Sequence, residues 1–150
     1  MNQRFLILLS IVLLFFLILG SYFLLKKNRA EVIFTNQNLV VKAELAETIL
    51  EQSRGLMGRK SLLENEGMLF IFPNEEEQRF WMKNTLIPLD LIFISADKKI
   101  VEIKFNFEPC NKIECPVYQS KEKAKYVLEV NAGFCERHRV RVGDDVEFKF

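Results

Sequence analysis

Residues 5–25, FLILLSIVLLFFLILGSYFLL, carry no charged side chain over 21 positions. At about 1.5 Å per residue, a helix of that length crosses the roughly 30 Å hydrocarbon core of a bilayer. A buried helix of a globular domain is rarely this long and apolar all round. A cleaved signal peptide is the closer rival, but its apolar region is usually about 7–15 residues and ends in a small-x-small site. Here Gly20 and Ser21 are small, yet Ile18 stands where a small residue is wanted and Tyr22 to Leu25 continue the run. No cysteine follows directly to take a lipid. The expectation is an uncleaved single-pass anchor at 5–25 in contact with membrane lipid. A tail at 1–4 precedes it, and a juxtamembrane linker at 26–37 leads to a β-rich extracytoplasmic domain at 38–150.

Orientation is read from two signals that disagree. Arg4 precedes the apolar run, and Lys26, Lys27 and Arg29 follow it, which leans toward a cytoplasmic carboxyl domain by the positive-inside rule. The cysteines, treated below, favour the outside. Four of the 21 basic residues precede residue 30 and none of the 20 acidic ones does, so the domain carries 17 against 20. That balance offers no basic field for a nucleic acid. The cluster from Lys26 to Arg29 is better explained as an interfacial anchor beside lipid headgroups.

Beyond a short polar connector at 30–37, Leu39 to Leu45 alternates apolar and polar residues and predicts a half-buried strand. Thr48-Ile-Leu-Glu51 is a capping-box pattern and predicts a short helix over 49–57. Strands are expected at 68–72, 79–83 and 89–95, with the last forming a hairpin with 99–107, and again at 126–131 and 146–150. Pro73-Asn74 and three glutamates read as a solvated loop, and 133–138 as one helical turn. Six or seven short strands predict a mainly β fold, an antiparallel sandwich or barrel with one or two short helices.

Four stretches occur in order: Arg54-Gly55-Leu56-Met57, Gly67-Met68-Leu69-Phe70, Phe80-Trp81-Met82-Lys83-Asn84-Thr85 with Pro88-Leu89-Asp90, and Val127-Leu128-Glu129 followed by Ala132-Gly133. Together they resemble the uncharacterised family called domain of unknown function 192, over about Leu39 to Val146. The resemblance implies a small β-rich domain, often behind a signal or anchor, with no agreed biochemical activity. Cys135 departs from the family pattern.

Cys110 and Cys115 flank a four-residue loop stiffened outside by Pro109 and Pro116. Oxidised, the ring would restrict the unfolded chain by roughly 2 kcal/mol, and a disulfide fits an oxidising compartment. Three other readings stay open. Cys110, Cys115, Cys135 and His138 could supply a structural Cys₃His zinc site. Cys135 could act as a nucleophile with His138 as its base at i and i+3. Cys135 could equally be a small buried hydrophobe.

The densest polar chemistry lies in residues 79–93, RFWMKNTLIPLDLIF. In a strand starting at Leu89, Asp90 shares a face with Ile92 and Ile94, while Leu89, Leu91 and Phe93 form the other. Asp90 is therefore expected to be covered, and so is Glu129 between Leu128 and Val130; a covered carboxylate needs a partner. Asp90 could be a structural knot, bonded to the turn from Asn84 to Leu86. Alternatively, Trp81, Lys83, Asn84 and Asp90, with Arg54 and Glu129, would line a small-ligand pocket with an aromatic face and a few converging polar groups. On an exported β domain the expected ligand is a cell-envelope glycan or a protein partner, by analogy of architecture. An enzyme using Asp90 and Glu129 as paired carboxylates and a purely structural or interaction module are the alternatives. Neither cofactor nor catalytic motif is expected.

Overall fold

A computed structural model describes residues 11–16 and 28–150. Most of the anchor predicted at 5–25 lies outside the described residues. Residues 11–16 are helical, and among the described residues no helix is long and apolar enough to cross a membrane.

The rest is mainly β. Seven strands form one sheet: β1 (Arg29–Phe34), β2 (Leu39–Ala46), β3 (Glu66–Trp81), β4 (Leu89–Ile94), β5 (Ile100–Phe107), β6 (Val117–Asn131) and β7 (Val146–Lys149), with short helices α1 (Ile49–Arg54) and α2 (Phe134–His138). The spatial order is β5-β4-β6-β3-β2-β1-β7. All neighbours are antiparallel except β2 and β3, whose connection carries α1. The two edges meet at one end: Ile100 N–H donates to the Asp144 carbonyl and Val146 N–H to the Lys98 carbonyl, each at 2.9 Å. The expected sandwich or barrel is thus a single sheet curled into a half-barrel.

Both faces of that sheet are covered. Inside the curl, Val32, Phe34, Val41, Leu69, Ile92, Ile94 and Leu128 pack with Phe134 and Cys135 of α2. On the other face, Phe70, Phe80, Leu89, Leu91, Phe93 and Val127 pack with Leu56 and Met82. β4 alternates between the two clusters and all six of its residues are buried, as its unbroken apolar run requires.

Thr48 caps α1 as its sequence predicts: the Glu51 N–H donates to the threonine hydroxyl, and the Glu51 carboxylate accepts the Thr48 N–H at 2.9 Å. Three expectations change. Residues 29–34, assigned above to a connector, form β1; Ala30, Val32 and Phe34 give too few alternating positions to stand out, but all three are buried. The expected strands at 68–72 and 79–83 are one long strand, β3, whose register slips between Ile71 and Glu76 and again before Arg79. That irregularity places Pro73 and the glutamates where the ladder is already broken. β6 begins nine residues earlier than expected because β3 is long enough to pair with it as far as Val117.

Candidate functional site

A cleft of about 530 Å³ opens where α1, the loop after it, and the far part of β3 come together over β6. Its aromatic wall is Phe70, Phe72 and Phe80. The Phe70 and Phe80 rings meet edge to face at 5.0 Å, and Phe72 and Phe80 do so at 6.2 Å, the arrangement favoured by ring quadrupoles. Trp81 stands on the rim, 43 % exposed. Arg54 and Arg79 are also on the cleft lining and largely exposed, and neither forms an ion pair among the described residues.

Glu129 lines the same cleft and is almost fully buried. Among the described residues its Oε2 has no hydrogen-bond partner. Burial alone raises its pKa to about 8, because the charged form loses water and finds no cation in return. At neutral pH the group is therefore mostly a carboxylic acid, able both to donate and to accept.

Two glycines let the backbone pack closely against Glu129. A β-carbon on Gly67 would stand 2.6 Å from the Glu129 carbonyl oxygen, nearer than such atoms approach. Gly55 ends α1 with φ +46°, and a β-carbon there would lie 3.3 Å from the Phe70 ring and 3.7 Å from Glu129 Oε2. The Arg54-Gly55-Leu56-Met57 and Gly67-Met68-Leu69-Phe70 stretches thus converge on one residue, the first on the Glu129 carboxyl and the second on its backbone carbonyl.

The structure brings together three of the six residues expected to line a pocket: Arg54, Trp81 and Glu129. Lys83 and Asn84 sit beside the cleft but do not line it. The Lys83 ammonium lies 5.5 Å from the Trp81 ring centroid. Asn84 adopts φ +56°, a conformation asparagine tolerates better than most residues. Its N–H donates to the Cys110 carbonyl and its carbonyl accepts the Gly58 N–H, both at 2.9 Å. It thereby joins the disulfide loop to the loop behind the cleft.

Asp90 is on the opposite face, fully buried. It pairs across β6 with Val130, whereas Glu129 pairs with Leu91, and directly opposed residues share a face. Its Oδ1 accepts the Asn106 N–H at 2.9 Å and its Oδ2 the Cys135 N–H at 3.0 Å. Asp90 is a knot, then, but it ties β5 and α2 rather than the turn from Asn84 to Leu86. The two carboxyls flank no common space, so the paired-carboxylate reading is corrected: antiparallel registry turns neighbouring positions to opposite sides.

Cys110 and Cys115 form a disulfide with Cα atoms 5.9 Å apart. Cys135 is free and buried in the other core cluster, so the four candidate zinc ligands do not converge. Burial, then the Asp90 carboxylate, push the Cys135 thiol well above its ordinary value. The imidazole of His138 packs on Phe134 and reaches Glu64 Oε1 at 3.1 Å. Neither residue is poised as a nucleophile and base, and Cys135 is the small buried hydrophobe.

Thr85, one of the polar residues of the 79–93 stretch, also lines the cleft, as do Phe70, Phe72 and Arg79, which were not singled out from the sequence. Phe70 closes one of the motif stretches; the signal was its proximity to glycine, which reads equally well as ordinary strand.

The model of the family described as "Uncharacterized ACR", domain of unknown function 192, matches residues 32–148. The chain belongs to this DUF192 family. A UPF0127 protein of Pyrococcus abyssi is 31 % identical over 112 residues, covering 71 % of this chain and 86 % of that protein. A second UPF0127 protein, from Thermococcus gammatolerans, is 28 % identical over 103 residues, 67 % of this chain and 62 % of its own length. A crystal structure of a protein of unknown function from Novosphingobium aromaticivorans superposes with a TM-score of 0.71 at 35 % identity, covering 81 % of this chain and 84 % of that one. The DUF192 match spans nearly all of the sheet, and the family has no characterised activity to transfer.

Proposed function

We propose that this DUF192 protein is a membrane-anchored, extracytoplasmic binding module whose cleft takes a ring-bearing ligand of the cell envelope, of the glycan class. The observation that carries the reading is Glu129: a nine-tenths buried carboxyl, its Oε2 without a partner among the described residues, beside an aromatic wall in an open cleft. An uncompensated buried polar group is unfavourable by about 1–3 kcal/mol, and a ligand hydroxyl would satisfy it. Sugar rings present an apolar face to aromatics such as Trp81 and hydroxyls to a carboxylic acid that both donates and accepts. The uncharged run at 5–25 supports the anchor, and the Cys110–Cys115 disulfide supports an oxidising compartment.

Thermal unfolding of the full chain against a panel of envelope glycans and fragments tests the reading. A ligand at 100 times its dissociation constant stabilises by about 2.7 kcal/mol. The expected result is a rise in midpoint with one glycan class that is lost in Trp81→Ala and in Glu129→Gln. A panel without any shift, alongside capture of a peptide by the same cleft, moves the reading to a protein partner.

A further inference from the structure

The chain enters the sheet at the end where the cleft opens. The Asn28 carbonyl accepts the Leu45 N–H at 3.0 Å, and Arg29 pairs with Glu44 near the end of β2. β2 then gives way to α1. β3 runs parallel to β2 and continues past it, from Phe70 opposite Ala46 to Trp81. Asn28, α1 and Trp81 therefore share one end of the domain.

That end exposes large apolar side chains: Ile49 is 84 % exposed, Leu50 79 %, and Val117 stands opposite Trp81 in the ladder. Arg54 and Arg79 flank them on the cleft lining. Exposed aliphatics, a rim tryptophan and arginines without ion pairs among the described residues make the composition of a membrane-contact surface. The aliphatics enter the acyl boundary, the indole ring sits at headgroup level, and the cations meet anionic lipid. Only Lys26 and Lys27 separate Asn28 from the uncharged run ending at Leu25. The three steps from Leu25 to Asn28 reach about 11 Å at most, so this end of the domain has nowhere to stand but close to the bilayer if the run spans it.

We propose that the face formed by Ile49, Leu50, Trp81, Arg54 and Arg79 is seated on an anionic bilayer surface, so that the cleft opens at headgroup level and draws its ligand from the membrane side. The inference rests on the membrane-anchored reading above.

Trp81 is the only tryptophan in the chain, so intrinsic fluorescence reports on this face alone. The full chain is reconstituted in vesicles of phosphatidylcholine and phosphatidylglycerol, with or without a lipid carrying a quencher just below the headgroup. An interfacial group sits roughly 5–10 Å into the headgroup–acyl boundary, so emission is expected to fall by about half. Replacing both exposed aliphatics, Ile49→Ser with Leu50→Ser, is expected to restore most of the emission while leaving the melting midpoint in place. Protein that floats with the vesicles but is not quenched overturns the seated face and leaves the anchor standing. Protein that does not float overturns the anchor and the seating together. Equal quenching in pure phosphatidylcholine overturns the anionic preference, and equal quenching of the double-serine variant overturns insertion of α1.

Discussion

Asp90 Oδ2 accepts the backbone N–H of Cys135 at 3.0 Å, and this bond caps α2 from a strand 45 residues away. Gly133, at the N-cap, has no side chain with which to do so. The aspartate thus replaces a local cap with a tertiary one and fixes how α2 plugs the open side of the curled sheet.

Asp90→Asn retains one acceptor but turns an amide toward a second N–H donor. Losing one bond of a fully buried pair is expected to destabilise the domain by about 2–3 kcal/mol. Urea denaturation gives the value directly. Binding of any ligand in the cleft should be unaltered in the folded fraction, because Asp90 faces away from it.

Glu129 sets a pH dependence with a definite sign. Its carboxyl titrates near the ordinary glutamate value of 4.5 in the unfolded chain and at about 8 in the folded one. Between those values the folded state holds the extra proton. Stability is therefore full below about pH 4.5 and falls as pH rises toward 8. Glu129→Gln should remove that slope and be the more stable protein at alkaline pH, by on the order of 5 kcal/mol. Midpoints measured for both proteins from acid to alkaline buffer decide it; parallel curves would mean the acid is not buried in this way.

Gly67→Ala, inside β3, should destabilise more than an alanine replacement of a loop glycine. Its β-carbon meets a backbone oxygen of β6 at 2.6 Å, and neither strand can retreat without breaking the Met68–Glu129 pairing. About 3 kcal/mol is expected from such overpacking. At Gly58 the added carbon meets nothing within 4 Å but the residue holds φ +74°, so Gly58→Ala should lose only about 1 kcal/mol, from backbone strain. Chemical denaturation of the two variants side by side measures the difference.

Reduction should act locally. The Cys110–Cys115 ring closes a five-residue separation and is expected to contribute roughly 2 kcal/mol. Its loop is pinned by the Cys110 N–H to the Met82 carbonyl at 3.1 Å and by the Asn84 N–H to the Cys110 carbonyl. The double change Cys110→Ser with Cys115→Ser should lower the melting midpoint modestly and loosen the segment from Met82 to Asn84 in hydrogen exchange. Thiol titration of the native protein should find no fast-reacting group, since Cys135 is buried.

Much of this domain is written in local patterns. Thr48 and Glu51 announce α1, the unbroken apolar run of β4 announces burial on both faces, and the spacing of Cys110 and Cys115 between two prolines announces a disulfide. These signals are legible because each depends on residues within one turn or one strand. The uncharged stretch at 5–25 is equally plain as composition. What the sequence could not assign was which face each polar residue meets. Asp90 and Glu129 both read as carboxylates in apolar strands. Only the register of β4 against β6 sends one into the half-barrel, where two backbone N–H groups hold it, and the other into the cleft, where Oε2 is left without a partner. Likewise, Gly55 and Gly67 stand in separate motifs, and they meet at Glu129 only once the parallel pairing of β2 with β3 brings α1 over β6. Local chemistry fixes elements and burial, because the interactions that decide them are between neighbours in the chain. Convergence of distant side chains is a property of strand pairing, and for this protein it is the pairing that makes the cleft.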